Sequence, residues 1–118
     1  MRTASFFSYV GPGRISIARF APRNTPAGFR VYKPLAPGSW FNSVTEDVYR
    51  ELYFAQLKEL EPAEVVADLL RLAAGVEPVL LCYERPPFTS TNWCHRTMVA
   101  EWFKKEIGLV VTEITTPR

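Results

Sequence analysis

The sequence predicts an α/β fold: one compact layered domain over residues 1–118, built on a mostly parallel sheet of about four strands flanked by three helices. Three observations carry this reading. Val79-Leu80-Leu81-Cys82-Tyr83 is a continuous apolar run, the pattern of a central strand covered on both faces. Helical periodicity lies on either side of it, and strands interleaved with helices pack as layers. The composition is ordinary for a globular domain, at 118 residues with 47% hydrophobic and 22% charged, which excludes a disordered or collagen-like chain.

The elements follow in order. Residues 3 to 10 are β-rich and end at Gly11-Pro12-Gly13, a turn signal. Arg14-Ile15-Ser16-Ile17-Ala18-Arg19 alternates polar and apolar, as a half-buried strand does. Residues 21 to 42 carry Pro22, Pro26, Pro34 and Pro37, and proline at that density removes too many donors for regular structure, so a long loop is expected. Ser43-Val44-Thr45-Glu46 has the spacing of a capping box and opens a helix over about 44 to 60. Pro62 starts a second helix, in which Val65, Val66, Leu69, Leu70 and Ala73 recur at helical spacing and Gly75 caps the end. After the central strand over 76 to 83 comes a loop over 84 to 93. A third helix then runs from His95 to Gly108, and a last strand from Leu109 to Ile114.

No apolar run approaches the roughly 20 residues that cross a bilayer. Phe6-Phe7 is hemmed in by Ser5, Ser8 and Gly11, which leaves no signal-peptide core. A cytoplasmic protein with no membrane partner is expected. Cys82 and Cys94 are then expected as thiols in a reducing compartment. The net charge of +2 hides an asymmetry, because Arg2, Arg14, Arg19, Arg23, Arg30 and Lys33 precede the first acid, Glu46. Such a layout suits an anionic partner if the bases share a face, or ion pairing between the two halves if they do not.

The chemistry is expected where the central strand ends and the third helix begins. Cys82 and Glu84 stand at that strand end, Cys94, His95 and Arg96 at that helix start, and open α/β sheets bind ligands just outside the strand ends. Cys94 beside His95 and Arg96 is the candidate nucleophile, with His95 or Glu84 moving protons. Arg96, Arg19 and Lys33 are the candidate anion-binding residues, with Arg23 a further base at the rim. Trp40, Tyr83 and Trp93 are the candidate stacking rings. Each also has a structural reading: Cys82 as a buried apolar side chain, His95 as a cap, Glu84 as a strut, Arg96 as the salt-bridge partner of Glu84 or Glu101. Zinc accepts cysteine, histidine and carboxylate ligands, but the spacing matches no common zinc module. Neighbours such as Cys94 and His95 leave a helical turn about 100° apart, so no metal is expected and no cofactor is assigned. No glycine cradle follows Cys82, and neither the P-loop nor the dinucleotide fingerprint is present.

Leu80-Leu81-Cys82-Tyr83-Glu84-Arg85-Pro86, Trp93-Cys94-His95-Arg96 and Val99-Ala100-Glu101-Trp102 together resemble the family catalogued as domain of unknown function 488. Ile15-Ser16-Ile17-Ala18-Arg19 and Tyr32-Lys33-Pro34-Leu35-Ala36-Pro37 extend the likeness to about residues 8 to 114. The resemblance implies a compact α/β domain of bacterial, archaeal or phage type, and marks Cys82, Glu84, Cys94, His95 and Arg96 as its site. It implies no reaction.

Three functions stay open at this point. The first is a pocket that binds or acts on an anionic small molecule, such as a nucleotide or nucleic-acid fragment, with the loops over 21–42 and 84–93 bordering it. The second is a non-catalytic nucleic-acid-binding module, and the third an interaction domain in which the polar cluster merely knits strand to helix. Whether the protein is an enzyme is not decided by the sequence.

Overall fold

The computed structural model describes residues 1–85, 88, 89 and 92–115. Five strands form one parallel sheet: β1 (Arg2–Ser5), β2 (Arg14–Ser16), β3 (Arg30–Val31), β4 (Val79–Cys82) and β5 (Thr112–Glu113), in the spatial order β3-β2-β4-β1-β5. Three helices accompany them: α1 (Glu46–Lys58), α2 (Pro62–Ala73) and α3 (His95–Ile107). The α/β class and the three helices are as the sequence indicates. The fifth strand comes from within the proline-rich segment.

β4 is central because its four residues, Val-Leu-Leu-Cys, are all buried and pair on both sides. Leu80 lies opposite Ile15 of β2 and Thr3 of β1 in register. Leu80 and Ile15 join the main core, where Tyr53 and Leu57 of α1, Leu69 of α2, and Val99 and Phe103 of α3 are all fully buried. Successive strand residues face opposite ways, so Leu81 and its partner Ala4 belong to a second cluster. Phe6 and Cys94 belong to that cluster too, and Tyr9, Phe29, Phe88 and Ile114 pack against it.

The strands are shorter than the sequence signals, and their ends are set by pairing. The last strand is only Thr112–Glu113, an edge strand on β1. The segment read as structureless instead holds β3, paired with β2, and a single 3-10 turn at Lys33–Leu35. Proline there is harmless because Pro34 occupies a first-turn position that needs no donor. The segment is pinned to the helices: Tyr32 donates its hydroxyl to Asp68 Oδ2 at 2.7 Å, and Tyr53 donates to the Leu35 carbonyl at 2.5 Å.

Helix starts also differ in detail. The capping box does not form: Thr45 is the N-cap of α1, and Ser43 turns its hydroxyl to the Trp40 carbonyl at 3.1 Å. Glu46 and Asp47 still favour the start, by lying near the positive end of the helix dipole. α2 begins on Pro62, with Glu61 accepting from the Ala63 amide at 3.3 Å. It ends on Ala74 in the left-handed conformation, φ 53°, followed by Gly75 at φ 96°.

Gly13 is the tightest backbone position. Its φ is +84°, and a Cβ there would lie 2.1 Å from the carbonyl oxygen of Glu77, while its own carbonyl accepts from the Val79 amide at 2.8 Å. A bare backbone is what lets the β1–β2 link abut the entry to β4. Gly13→Ala is therefore expected to cost about 3 kcal/mol, from both conformational strain and the clash. Gly75→Ala, with nothing within 4 Å of its Cβ, carries the conformational cost alone, about 1 kcal/mol. Urea unfolding of the two variants should separate them clearly, and equal losses would contradict this account.

Candidate functional site

Cys82 ends β4 and Cys94 caps α3, which brings their sulfurs together. The two are paired as a disulfide with a Cα separation of 7.1 Å, and both are buried. This differs from the expectation of free thiols: the two sulfurs are paired here, so Cys94 has a thiolate to offer only in the reduced protein. The angular objection to Cys94 and His95 acting together also falls. Cys94 is extended, at φ −145° and ψ 146°, so the pair does not follow helical spacing. The Cys82 and Cys94 sulfurs and a His95 ring nitrogen lie within 4.8 Å of one another.

His95 is oriented by the strand beside it. Its Nε2 is 2.7 Å from the carbonyl of Ile17, immediately after β2. A carbonyl only accepts, so Nε2 carries the proton and Nδ1 is left bare, 3.8 Å from Cys94 Sγ. Tyr53 packs edge-on against the imidazole at 5.3 Å between ring centres. The His95 pKa is lowered from 6.5 to about 4, chiefly by burial; the bond to Ile17 opposes the shift and the Arg96 charge adds to it.

Arg96 is the principal correction. Its side chain is fully buried, and its guanidinium faces inward. Nε and Nη2 form a bidentate pair with the two carboxylate oxygens of Glu113, at 2.9 and 2.8 Å. Nη2 also donates to the Glu84 carbonyl at 2.5 Å, and Nη1 to Cys82 Sγ at 3.2 Å. The ring of Phe88 lies 4.9 Å from the guanidinium carbon. Arg96 thus ties α3 to β4 and β5, and its anion-binding role gives way to a structural one. The partner is neither the Glu84 carboxylate nor Glu101, which pairs with Arg50.

Next to this cluster is a cavity of about 610 Å³, walled by Phe20, Phe41, Tyr49, Tyr83 and Trp93, with Arg19 and Glu84 also on its lining and Cys82, Cys94 and His95 beneath. Pro37, Phe41 and Asn42 reach it from the proline-rich segment, and Glu84, Asn92 and Trp93 from the segment before α3. Residues 86, 87, 90 and 91 of that second loop lie outside the described residues. Of the stacking candidates, Tyr83 and Trp93 line the cavity, whereas Trp40 packs edge-on against Tyr49 and does not. Of the basic candidates, Arg19 lines it; Lys33 points to a neighbouring hollow and donates to the Arg19 carbonyl at 2.9 Å. Arg23 does not line it. Sequence reasoning passed over Phe20, Tyr49 and Glu113. Glu113 is the single acid of the last strand, which is the signal that could have found it.

Two outcomes follow from this geometry. Removing one partner of a buried ion pair strands the other. Arg96→Met should therefore destabilise by about 3 kcal/mol, and adding Glu113→Leu should restore part of the loss. A single-variant loss within about 0.5 kcal/mol, as at ordinary surface sites, would contradict the strut. His95 binds its proton only below about pH 4 in the fold but near 6.5 when unfolded. Its contribution is thus complete above pH 6.5 and is lost as the pH falls toward 4, with a slope approaching about 1.4 kcal/mol per unit. Urea midpoints of the oxidised protein and of His95→Gln should diverge in that window; parallel curves would rule the effect out.

Set against protein-family models, curated proteins and solved structures, the chain matches none.

Proposed function

We propose that the cavity at the strand ends binds a small anionic ligand carrying a flat ring, such as a nucleotide or a nucleic-acid fragment. The observation that carries this is the pairing of aromatic walls with one accessible guanidinium. Arg19 sits 5.6 Å from the Phe20 ring centre and 6.0 Å from that of Phe41. It gives one hydrogen bond, to the Pro37 carbonyl at 3.2 Å, among the bonds of the described residues. An arginine held over rings and still rich in donors suits a phosphate next to a stacked base. The volume, about 610 Å³, falls within the usual range for small-molecule sites.

A small ligand is favoured over an extended nucleic acid because the bases of the N-terminal third are partly used at home. Arg14 donates to the carbonyls of Gly11, Pro26 and Ala27, and Lys33 to that of Arg19. The same reading places the chain in the domain of unknown function 488 family. What supports it is that the two stretches carrying the resemblance, Cys82-Tyr83-Glu84 and Cys94-His95-Arg96, meet at one site.

The test is a titration of the oxidised protein with adenosine monophosphate and with adenosine, read by tryptophan emission. The nucleotide should quench Trp93 emission, and Trp93→Phe should remove that signal. Arg19→Ala should weaken nucleotide binding about tenfold, worth about 1.4 kcal/mol, and leave the nucleoside unaffected. No emission change with any of the four common nucleoside monophosphates at millimolar concentration would overturn the proposal.

A further inference from the structure

We infer that the reduced protein holds a zinc-class divalent ion between Cys82 Sγ, Cys94 Sγ and His95 Nδ1, with a fourth coordination position facing the cavity. The inference shares that cavity but does not depend on which organic ligand enters it.

The donor set comes first. Two sulfurs and an imidazole nitrogen select zinc-like ions over calcium or magnesium, which prefer oxygen. Around tetrahedral zinc, a sulfur and a nitrogen ligand stand about 3.6 Å apart and two sulfurs about 3.8 Å. Cys94 Sγ and His95 Nδ1 are 3.8 Å apart already. The Cys82 and Cys94 Cα atoms, 7.1 Å apart, let the sulfurs separate by side-chain rotation once their bond is cut.

The surrounding hydrogen bonds supply an independent argument. Metal-bound histidines commonly donate their other ring nitrogen to a carbonyl, which fixes the ligating nitrogen. His95 does this through Nε2 to Ile17. Arg96 Nη1 donates to Cys82 Sγ at 3.2 Å, a contact that favours the thiolate a metal requires. Glu113 balances the guanidinium charge, so a cationic ion is not opposed by a lone cation. All three ligands lie against the cavity, together with Glu84 and Asn92, so the open position has a water-reachable side.

The disulfide and the ion exclude each other. A thiol-class or phosphine reductant supplies two electrons, two protons are taken up, the S–S bond breaks and two thiols form; the ion then displaces both protons as it binds. Metal occupancy is thereby set by the redox state of one bond.

The experiment uses cobalt(II) as the probe, added to the full chain reduced with a phosphine under anaerobic conditions. One equivalent should bind, giving thiolate-to-cobalt charge-transfer absorption and the visible bands of a tetrahedral ion, both displaced by stoichiometric zinc. Oxidised protein should give neither. Cys82→Ser and Cys94→Ser should abolish the charge-transfer band or shift it markedly, and His95→Gln should weaken binding at least tenfold. Should those variants fail to fold, the unaltered chain still decides. Zinc, and not calcium, should slow alkylation of both cysteines by iodoacetamide more than tenfold. Reduced protein with unchanged far-ultraviolet dichroism and two reactive thiols, but no cobalt bands and no protection by zinc, would overturn the inference. The nucleotide titration is made on the oxidised protein, so the two results fail independently.

Discussion

The buried guanidinium of Arg96 is the constraint around which the rest is arranged. A cation with no exposed surface is tolerable only if its charge is met and its donors are used. Glu113 meets the charge with a two-point pair, while the Glu84 carbonyl and Cys82 sulfur take further donors. Thr3 adds a hydroxyl to the same carboxylate at 2.7 Å. One side chain on α3 thus reaches β4 and β5 directly and β1 through Glu113. Replacing this arrangement with apolar residues need not cost the fold stability, but it would release the geometry that brings the start of α3 against the end of β4.

That geometry produces the site. A parallel strand ending in cysteine and a helix capped by cysteine converge, and the residue after the cap, His95, is turned by its bond to Ile17. The sulfur pair, the bare imidazole nitrogen and the aromatic walls are then consequences of where backbone elements stop. Burial has two effects here. It keeps the imidazole neutral, and it removes Arg96 from solvent, leaving Arg19 as the basic side chain on the cavity among the described residues.

Much of this was legible in the chain because it is written locally. The apolar run of β4, the proline start of α2, and the cysteine-histidine start of α3 each show within a few residues. The same local signals place Cys82, Glu84, Cys94, His95 and Arg96 together; the first four line one cavity, while Arg96 lies buried beside it, paired with Glu113. What escaped was non-local. Glu113 comes to Arg96 only because β5 pairs with β1, over a hundred residues away, and nothing near Arg96 announces it. Trp40 and Phe41 are neighbours in one turn that face different ways, so residue type could not tell which ring enters the cavity. A two-residue strand such as β3 is below what periodicity can resolve. Ser43 likewise had two local acceptors or donors to satisfy, and the turn won over the cap.

The position of β4 between β1 and β2 has a bearing on synthesis. Strands β1 and β2 leave the ribosome before the strand that joins them, which is made some sixty residues after β2. Until it emerges, the nascent chain carries strand edges with no partner, which are prone to mispairing with other chains. Helices α1 and α2 can form in that interval from local contacts, so the joining of β1 to β2 waits on the arrival of a single apolar tetrapeptide.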